Sequence, residues 1–269
     1  MAQQISKTQE IPSSSPKRLI SYRVANLQGI GARQRQEDAF SFANVLDVVA
    51  MKNRGLLAIV CDGMGGMKDG RLASDNAIEV IRAAYSEFDF DRDIFPQLQN
   101  ALIRANERVY SLLDGEGGST AIVCLFYKSS LYFASVGDSY LIIKRGHRIF
   151  HLNKKHNVLH GVYADTIRSG SFDPAVARAD AEKDAVTQYL GIDALSDIDG
   201  FVRPLPLLDG DIVMLCSDGV AGVLSDEVML RCLSNEAPEQ MTAELEQNIL
   251  SAALPYQDNY TALIIKCEY

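Results

Sequence analysis

Three apolar runs in the middle of the sequence, STAIVCLF (119–126), LYFASV (131–136) and YLIIK (140–144), stand too close together for most sheet architectures. They are rich in Val, Ile, Leu and aromatic residues and bounded by Gly, Asp and Ser, so they read as strands. Only Tyr127 to Ser130 and Gly137 to Ser139 separate them. A parallel crossover needs about a dozen residues. The spacing therefore predicts that all three pair antiparallel, and it disfavours a Rossmann-type parallel sheet. LLAIVC (56–61), DIVMLC (211–216) and YTALIIK (260–266) have the same character and add three strands.

Helical periodicity lies elsewhere. Between Gly70 and Phe88, Leu72, Ile78, Ile81, Tyr85 and Phe88 recur at three- to four-residue steps. From Asp93 to Leu113, Phe95, Leu98, Leu102, Ala105, Val109 and Leu112 do the same. Pro238 opens a third helix with Met241, Leu245, Ile249 and Ala252 on one face, since Pro suits a first turn. Each helix has one apolar side and must lie on a sheet, which predicts a layered α+β sandwich. With 269 residues, 47% of them hydrophobic, the chain has ample length for a core. Residues 1–20, rich in Gln, Ser and Pro, read as a flexible tail, and 21–269 as a single domain without linker or repeat. Within it, 146–190 has weak periodicity and reads as a flap with one short helix near Pro174.

A formal charge of −9 argues against nucleic acid or an anionic membrane as partner. It leaves room for carboxylates that hold a cation. The five cysteines form no Cys-x-x-Cys pair, and Cys61, Cys124 and Cys216 sit inside apolar runs, where buried reduced thiols are expected. The N-terminal residues lack the apolar stretch of a signal peptide, and no run approaches 18 apolar residues. The expectation is a cytoplasmic protein that does not enter a membrane.

The chemistry concentrates at strand ends. LLAIVC runs into Asp62-Gly63-Met64, DIVMLCS into Asp218-Gly219, and LYFASVG into Asp138-Ser139. Asp258-Asn259 precedes YTALIIK, and Glu37-Asp38 precedes Ala39-Phe40. One Asp-Gly or Asp-Asn is a turn far more often than a ligand. Five such blocks, each attached to an apolar run, can instead surround one cleft. Crowded carboxylates repel and have raised pKa values unless a cation neutralises them, and an all-oxygen site suits Mg²⁺ or Mn²⁺ better than Zn²⁺.

In order, the chain carries Arg33-Gln34-Arg35-Gln36-Glu37-Asp38-Ala39, CDGMGG at 61–66, Gly118-Ser119-Thr120-Ala121 and Ser135-Val136-Gly137-Asp138-Ser139. It continues with Thr187-Gln188-Tyr189-Leu190-Gly191, Ser217-Asp218-Gly219 and Asp258-Asn259-Tyr260-Thr261. The series resembles the protein phosphatase 2C family, metal-dependent protein serine/threonine phosphatases, in its bacterial form. The likeness runs from about Tyr22 to Lys266. It implies a four-layer sandwich of two antiparallel sheets flanked by helices. It also implies hydrolysis of phosphoserine and phosphothreonine by a water bridging two metals, Mg²⁺ or Mn²⁺, with a third, weaker site. By the resemblance, Asp62 bridges the pair, Asp218 and Asp258 complete the first site, and Glu37 with the Gly63 carbonyl the second. Asp138 with Asp218 matches the third site, Arg33 the phosphate-binding arginine, and Asp38 and Asn259 positions that hold metal-bound waters. Phosphorylated Ser/Thr proteins, targets of a cognate kinase, are the implied partners of a monomeric enzyme.

The chain departs from that pattern at Lys155-His156-Asn157, where many members have Asp-His-Ser, at Gln188 in place of Arg, and at Met64 in place of a His in many eukaryotic members. The first two departures fall in the flap, which ties them to substrate preference. Rival readings are weaker. Gly137-Asp138-Ser139-Tyr140 is similar to an esterase block, but no Asp-x-x-His follows it. No cysteine has an Arg six residues on, and there is no P-loop or His-Glu-x-x-His. His147, His151, His156 and His160 read as surface or flap histidines, and Lys154-Lys155 as a solvated pair. A phosphatase-like regulatory or phosphoprotein-binding module with little turnover is the alternative from another class. The presence of Glu37, Asp62, Asp218 and Asp258 counts against it.

Overall fold

In the computed structural model, which describes residues 21–64, 69–170 and 185–269, the apolar runs become strands of two antiparallel sheets. The first sheet places β1 (Ser21–Gly29) beside β11 (Tyr260–Glu268), followed by β10 (Ile212–Cys216), β6 (Tyr140–Arg145) and β7 (Arg148–His151). The second runs β2 (Ala39–Ala43), β3 (Leu56–Cys61), β4 (Ala121–Tyr127) and β5 (Ser130–Val136). Two short strands, β8 (Asp199–Gly200) and β9 (Leu205–Pro206), both pair with β5.

Alternate residues of each strand face opposite layers. Leu56, Ala58 and Val60 of β3 meet Leu215 and Leu263 of the other sheet in a core that also holds Phe126 and Phe133. Leu57, Ile59 and Cys61 point outward onto α2 (Gly70–Ser86) and α3 (Ile94–Leu113). On the far side, Met214, Cys216 and Ile264 meet α5 (Asp218–Ala221), α6 (Asp226–Cys232) and α7 (Pro238–Ser251). Strands buried on both faces have no polar side to show, so their sequences read as continuous apolar runs. The result is the α+β four-layer sandwich expected. Among the described residues, no helix is long and apolar enough to cross a membrane.

One strand relation differs from expectation. β4 and β5 do form a hairpin, turned at Lys128 and Ser129, both at positive φ as its tight turn requires. β5 and β6, however, belong to different sheets. A three-residue link is too short for a parallel crossover, yet at about 3.3 Å per residue it spans the roughly 10 Å between stacked sheets. The Gly137–Ser139 link takes that route. Gly137 sits at φ 101°, where a Cβ would stand 2.6 Å from that of Thr120.

Several elements escape the periodicity argument. These are β1, β2, β7, β8, β9, α1 (Val48–Arg54), α4 (Val158–Ser169), α5 and α6. The stretch 146–190 thus contains a strand and a twelve-residue helix, α4, whose first turn is capped by Asn157 Oδ1 accepting from the His160 N–H at 3.0 Å. The helix expected near Pro174 lies outside the described residues. In α2 the buried stripe runs Ala73, Ala77, Ile81, Tyr85, so Leu72 faces solvent. Small residues on that stripe bring the helix close to the sheet. Ala252 is likewise exposed, just past the end of α7.

Candidate active site

Antiparallel pairing puts the start of one strand beside the end of its neighbour. Ala39 of β2 faces Cys61 of β3, and Ala262 of β11 faces Cys216 of β10. Glu37 and Asp38 therefore meet Asp62, while Asp258 meets Asp218. The Gly137–Ser139 link carries Asp138 across the same end of the sandwich. Arg33, Glu37, Asp62, Gly63, Asp138, Asp218 and Asp258 line one cleft of about 200 Å³. Met64, Thr120 and Val186 complete its wall.

The cleft is electrostatically unbalanced. Burial, reinforced by the charges of Asp38, Asp218, Asp138 and Asp258, pushes the Asp62 carboxyl well above the usual carboxylate range. Burial raises Asp38 to about 6 despite hydrogen bonds from Thr261 and Ser217 that favour the charged form. Asp218 is raised too, by burial and then by Asp258, against an opposing pull from Lys155. Ser217 Oγ donates to Asp38 Oδ2 at 2.8 Å, while Asp38 Oδ1 is buried without a partner. At the mouth, Arg33 Nη2 donates to Asp258 Oδ2 at 2.6 Å, and the guanidinium is half exposed.

A frame of main-chain contacts holds these groups. Thr120 donates its N–H to the Asp62 carbonyl at 2.8 Å, and its Oγ1 accepts from the Asp62 N–H at 3.1 Å. Ser119 Oγ donates to the same carbonyl, and Ser139 Oγ hydrogen-bonds Thr120 Oγ1 at 2.7 Å. Gly63 is packed between two backbones, and a Cβ there would stand 2.2 Å from the Gly70 carbonyl and 2.6 Å from that of Glu37. No other residue fits that gap without moving the cleft. Asn259 is buried and its amide is fully engaged. Oδ1 accepts from the Glu37 N–H at 2.8 Å, and Nδ2 donates to the carbonyls of Ile30 and Arg35. It clamps the loop that presents Arg33 and Glu37.

Sequence reasoning missed the supporting hydroxyls of Thr120, Ser139 and Ser217, although each stands inside a quoted block. It also placed His156 among surface or flap histidines, whereas the side chain is buried. Its Nδ1 accepts from the Gly137 N–H at 3.1 Å, one residue before Asp138, and burial pushes its pKa down. Lys154 and Lys155 are not simply solvated. The first pairs with Asp197 at 2.5 Å, and the second places its ammonium 3.4 Å from the centroid of the Tyr140 ring. Gln188 Oε1 accepts from the main chain of Ser196 and Asp197, holding the turn beside them. The five cysteines are free and buried.

Among the described residues, no three His, Cys, Asp or Glu side chains close into a ready-made coordination shell. What the cleft offers is oxygen donors in excess of positive charge, and the unpartnered Oδ1 of Asp38 lies buried behind them. Hard divalent cations with oxygen ligands suit such a donor set.

Comparison with known proteins agrees with the motif series. The family model for protein phosphatase 2C matches residues 22–160, over half of the chain. The chain belongs to the protein phosphatase 2C family. It is 26% identical over 225 residues to the serine/threonine phosphatase stp of Listeria monocytogenes, covering 80% of this chain and 86% of that one. In three dimensions it is similar to the serine/threonine phosphatase Stp1 of Staphylococcus aureus, with a TM-score of 0.76 at 22% identity over 96% of this chain and all of the other. The catalytic domain of PstP, solved with two manganese ions, superposes with a TM-score of 0.72 at 21% identity, covering 93% of this chain and all of that one. These structures share its fold.

Proposed function

We propose that the protein is a metal-dependent protein serine/threonine phosphatase. The observation that carries this reading is the half-buried Asp62 at the floor of a cleft, surrounded by Asp38, Asp138, Asp218 and Asp258, with Arg33 beside them. Asp62, Asp218 and Asp258 would hold one cation, Asp62, Glu37 and the Gly63 carbonyl a second, and Asp138 with Asp218 a third. When bound, such cations lower the pKa of a coordinated water toward neutrality and screen the phosphate's charge.

The chain's own groups then have distinct tasks. Arg33 presents a planar fork that can take two phosphate oxygens, a geometry no lysine reproduces. Asp258, now bonded to that fork, orients it toward the cleft. Asp38, held through Oδ2 by Ser217, keeps Oδ1 as an unpartnered acceptor beside the proposed ligands, where it can accept a hydrogen bond from a bound water. Met64 brings no proton to the leaving group, so no side chain at that position acts as the acid. Residues 21–269 would act as one catalytic domain, with 146–190 as its flap. Phosphorylated Ser/Thr proteins made by a cognate kinase would be the substrates of this monomer, and five reduced cysteines fit a cytoplasmic setting.

The test is hydrolysis of p-nitrophenyl phosphate and of a phosphothreonine peptide after exhaustive chelation, with and without millimolar Mn²⁺. Turnover restored by Mn²⁺ or Mg²⁺ supports the reading. Full activity in the chelated protein, or rescue by Zn²⁺ alone, rejects it.

A further inference from the structure

Beside the acidic cleft runs a second depression of a different character, an apolar groove of about 390 Å³. Ile30 and Ala32, in the loop after β1, form one wall. Leu250, Ala253 and Leu254, at the end of α7, form the other, and Gln257 lies between them. Ile30, Leu250 and Leu254 are 45%, 60% and 46% exposed, so these apolar side chains meet water rather than the core.

Continuity ties the groove to the reaction. Ala32 donates its N–H to the Gln257 carbonyl at 2.8 Å, joining the two walls. The next residue after each is Arg33 and Asp258, both lining the cleft, and their 2.6 Å ion pair stands between groove and cleft. Successive Cα atoms are about 3.8 Å apart, so the groove begins one residue from the phosphate-binding arginine.

Resting on the phosphatase reading above, we infer that this groove receives an aliphatic side chain flanking the phosphorylated residue of a protein substrate. A phosphorylated segment whose phosphate meets Arg33 must leave the cleft over its rim. At about 3.3 Å per extended residue, a side chain two to four positions away reaches the groove. The walls are apolar, so Leu, Ile or Met is favoured there over a charged residue, and the groove lies on one side of Arg33 only. The apolar pocket around Tyr22 and Met51 borders no part of the cleft and has no such claim.

The experiment uses the full chain loaded with Mn²⁺. Its substrates are p-nitrophenyl phosphate and phosphothreonine peptides in a Ser/Gln background, with a single Leu moved through four positions on either side. The expected result is a gain of about tenfold in kcat/KM for Leu at one or two positions on one side, the lower end of what burying that side chain gives. In a Leu250→Gln, Leu254→Gln double variant the gain should vanish, while the Leu-free peptide and p-nitrophenyl phosphate are hydrolysed as before. Both side chains are exposed, and retained aryl phosphate turnover verifies the fold. Turnover with no Leu preference, or a preference that survives in the double variant, overturns the inference alone. A change in sedimentation of the double variant without loss of Leu preference assigns the groove to self-association and overturns it too. Absence of turnover on every substrate overturns the phosphatase reading together with this one.

Discussion

The two ends of strand β10 adjoin aspartates that live under opposite conditions. Before its first residue stands Asp211, 2% exposed, with its carboxylate gripped by Arg145 Nε and Nη2 at 2.9 and 2.6 Å and by the Leu208 N–H at 2.7 Å. After its last residues stands Asp218, whose neighbours Asp62 and Asp258 carry the same charge. The protein completes the first carboxylate with its own donors. At the other end it leaves carboxylates facing one another, with one oxygen of Asp38 bonded to nothing. A structural aspartate is thus satisfied from within, whereas the cleft's aspartates are arranged for something the chain does not supply.

Substitution at the two ends should give opposite phenotypes. Asp62→Asn is expected to reduce kcat/KM by about a thousandfold or more, the scale of a well-placed electrostatic group. In chelating buffer the same variant should melt above the parent, because a buried uncompensated charge is gone. A lower melting temperature with retained turnover would erase the contrast. Arg145→Ala should do the reverse. Stranding Asp211 costs about 3–5 kcal/mol of stability in urea unfolding, with turnover per folded molecule unchanged.

Arg33→Ala probes the boundary between the two conditions, since Arg33 balances part of the acidic end. Loss of a bidentate, charge-assisted contact of about 1.5–3 kcal/mol predicts a roughly ten- to hundredfold fall in kcat/KM. Mn²⁺ affinity, measured by calorimetry, should hold or improve as Asp258 is released. Unchanged kinetics would make Arg33 a surface residue.

The smallest effect concerns pH. An Asp38 pKa of about 6, above the ordinary carboxylate value of 3.8, means that between about pH 4 and 6 the folded chain holds a proton the unfolded chain has released. Its contribution to stability is therefore present at low pH and lost as pH rises through about 6. Asp62 and Asp218 act in the same sense. His156, pushed below its usual value, acts oppositely and loses its contribution as pH falls below about 6.5. That effect is common to metal-free and metal-loaded protein. The stabilisation conferred by millimolar Mn²⁺ should consequently shrink by about 1–2 kcal/mol between pH 7.5 and 5.0, or roughly 3–6 °C in Tm. A gain independent of pH would show that Mn²⁺ binds away from these carboxylates.

Legibility in the sequence followed burial and locality. Strands covered on both faces, such as β3 and β4, declare themselves as apolar runs. β1 is mostly exposed or half-buried, with Leu27 its one buried residue, and α1 and α6, with seven residues each, complete barely two turns, too few to show a period. The carboxylates could be found because each adjoins a strand and falls in a family block. Their supports could not, because what Ser217 does is decided by Asp38, 179 residues away. His156 was hidden for the same reason. Nothing in Lys155-His156-Asn157 reveals that the ring accepts from Gly137. The route of Gly137–Ser139 was misjudged because spacing excludes a crossover without choosing between a hairpin and a step to the other sheet.

The pairing of β1 with β11 also sets a timetable. Ser21 lies opposite Glu268, and all nine residues of β1 are matched to residues at the far end of the sequence. β11 lies between β1 and β10, so neither of them has that neighbour until residues 260–268 arrive. Asp258 comes with the same segment. During synthesis the four long strands of the second sheet, β2 to β5, and the helices α2 and α3 can assemble early, from residues 39–136, while the first sheet waits. The acidic cleft is thus completed in the last act of folding, and a chain stalled before β11 has neither a closed sandwich nor a catalytic centre. Ser21 and Glu268 stand 247 residues apart, so the loop-closure entropy of that pairing must be met before the cleft exists.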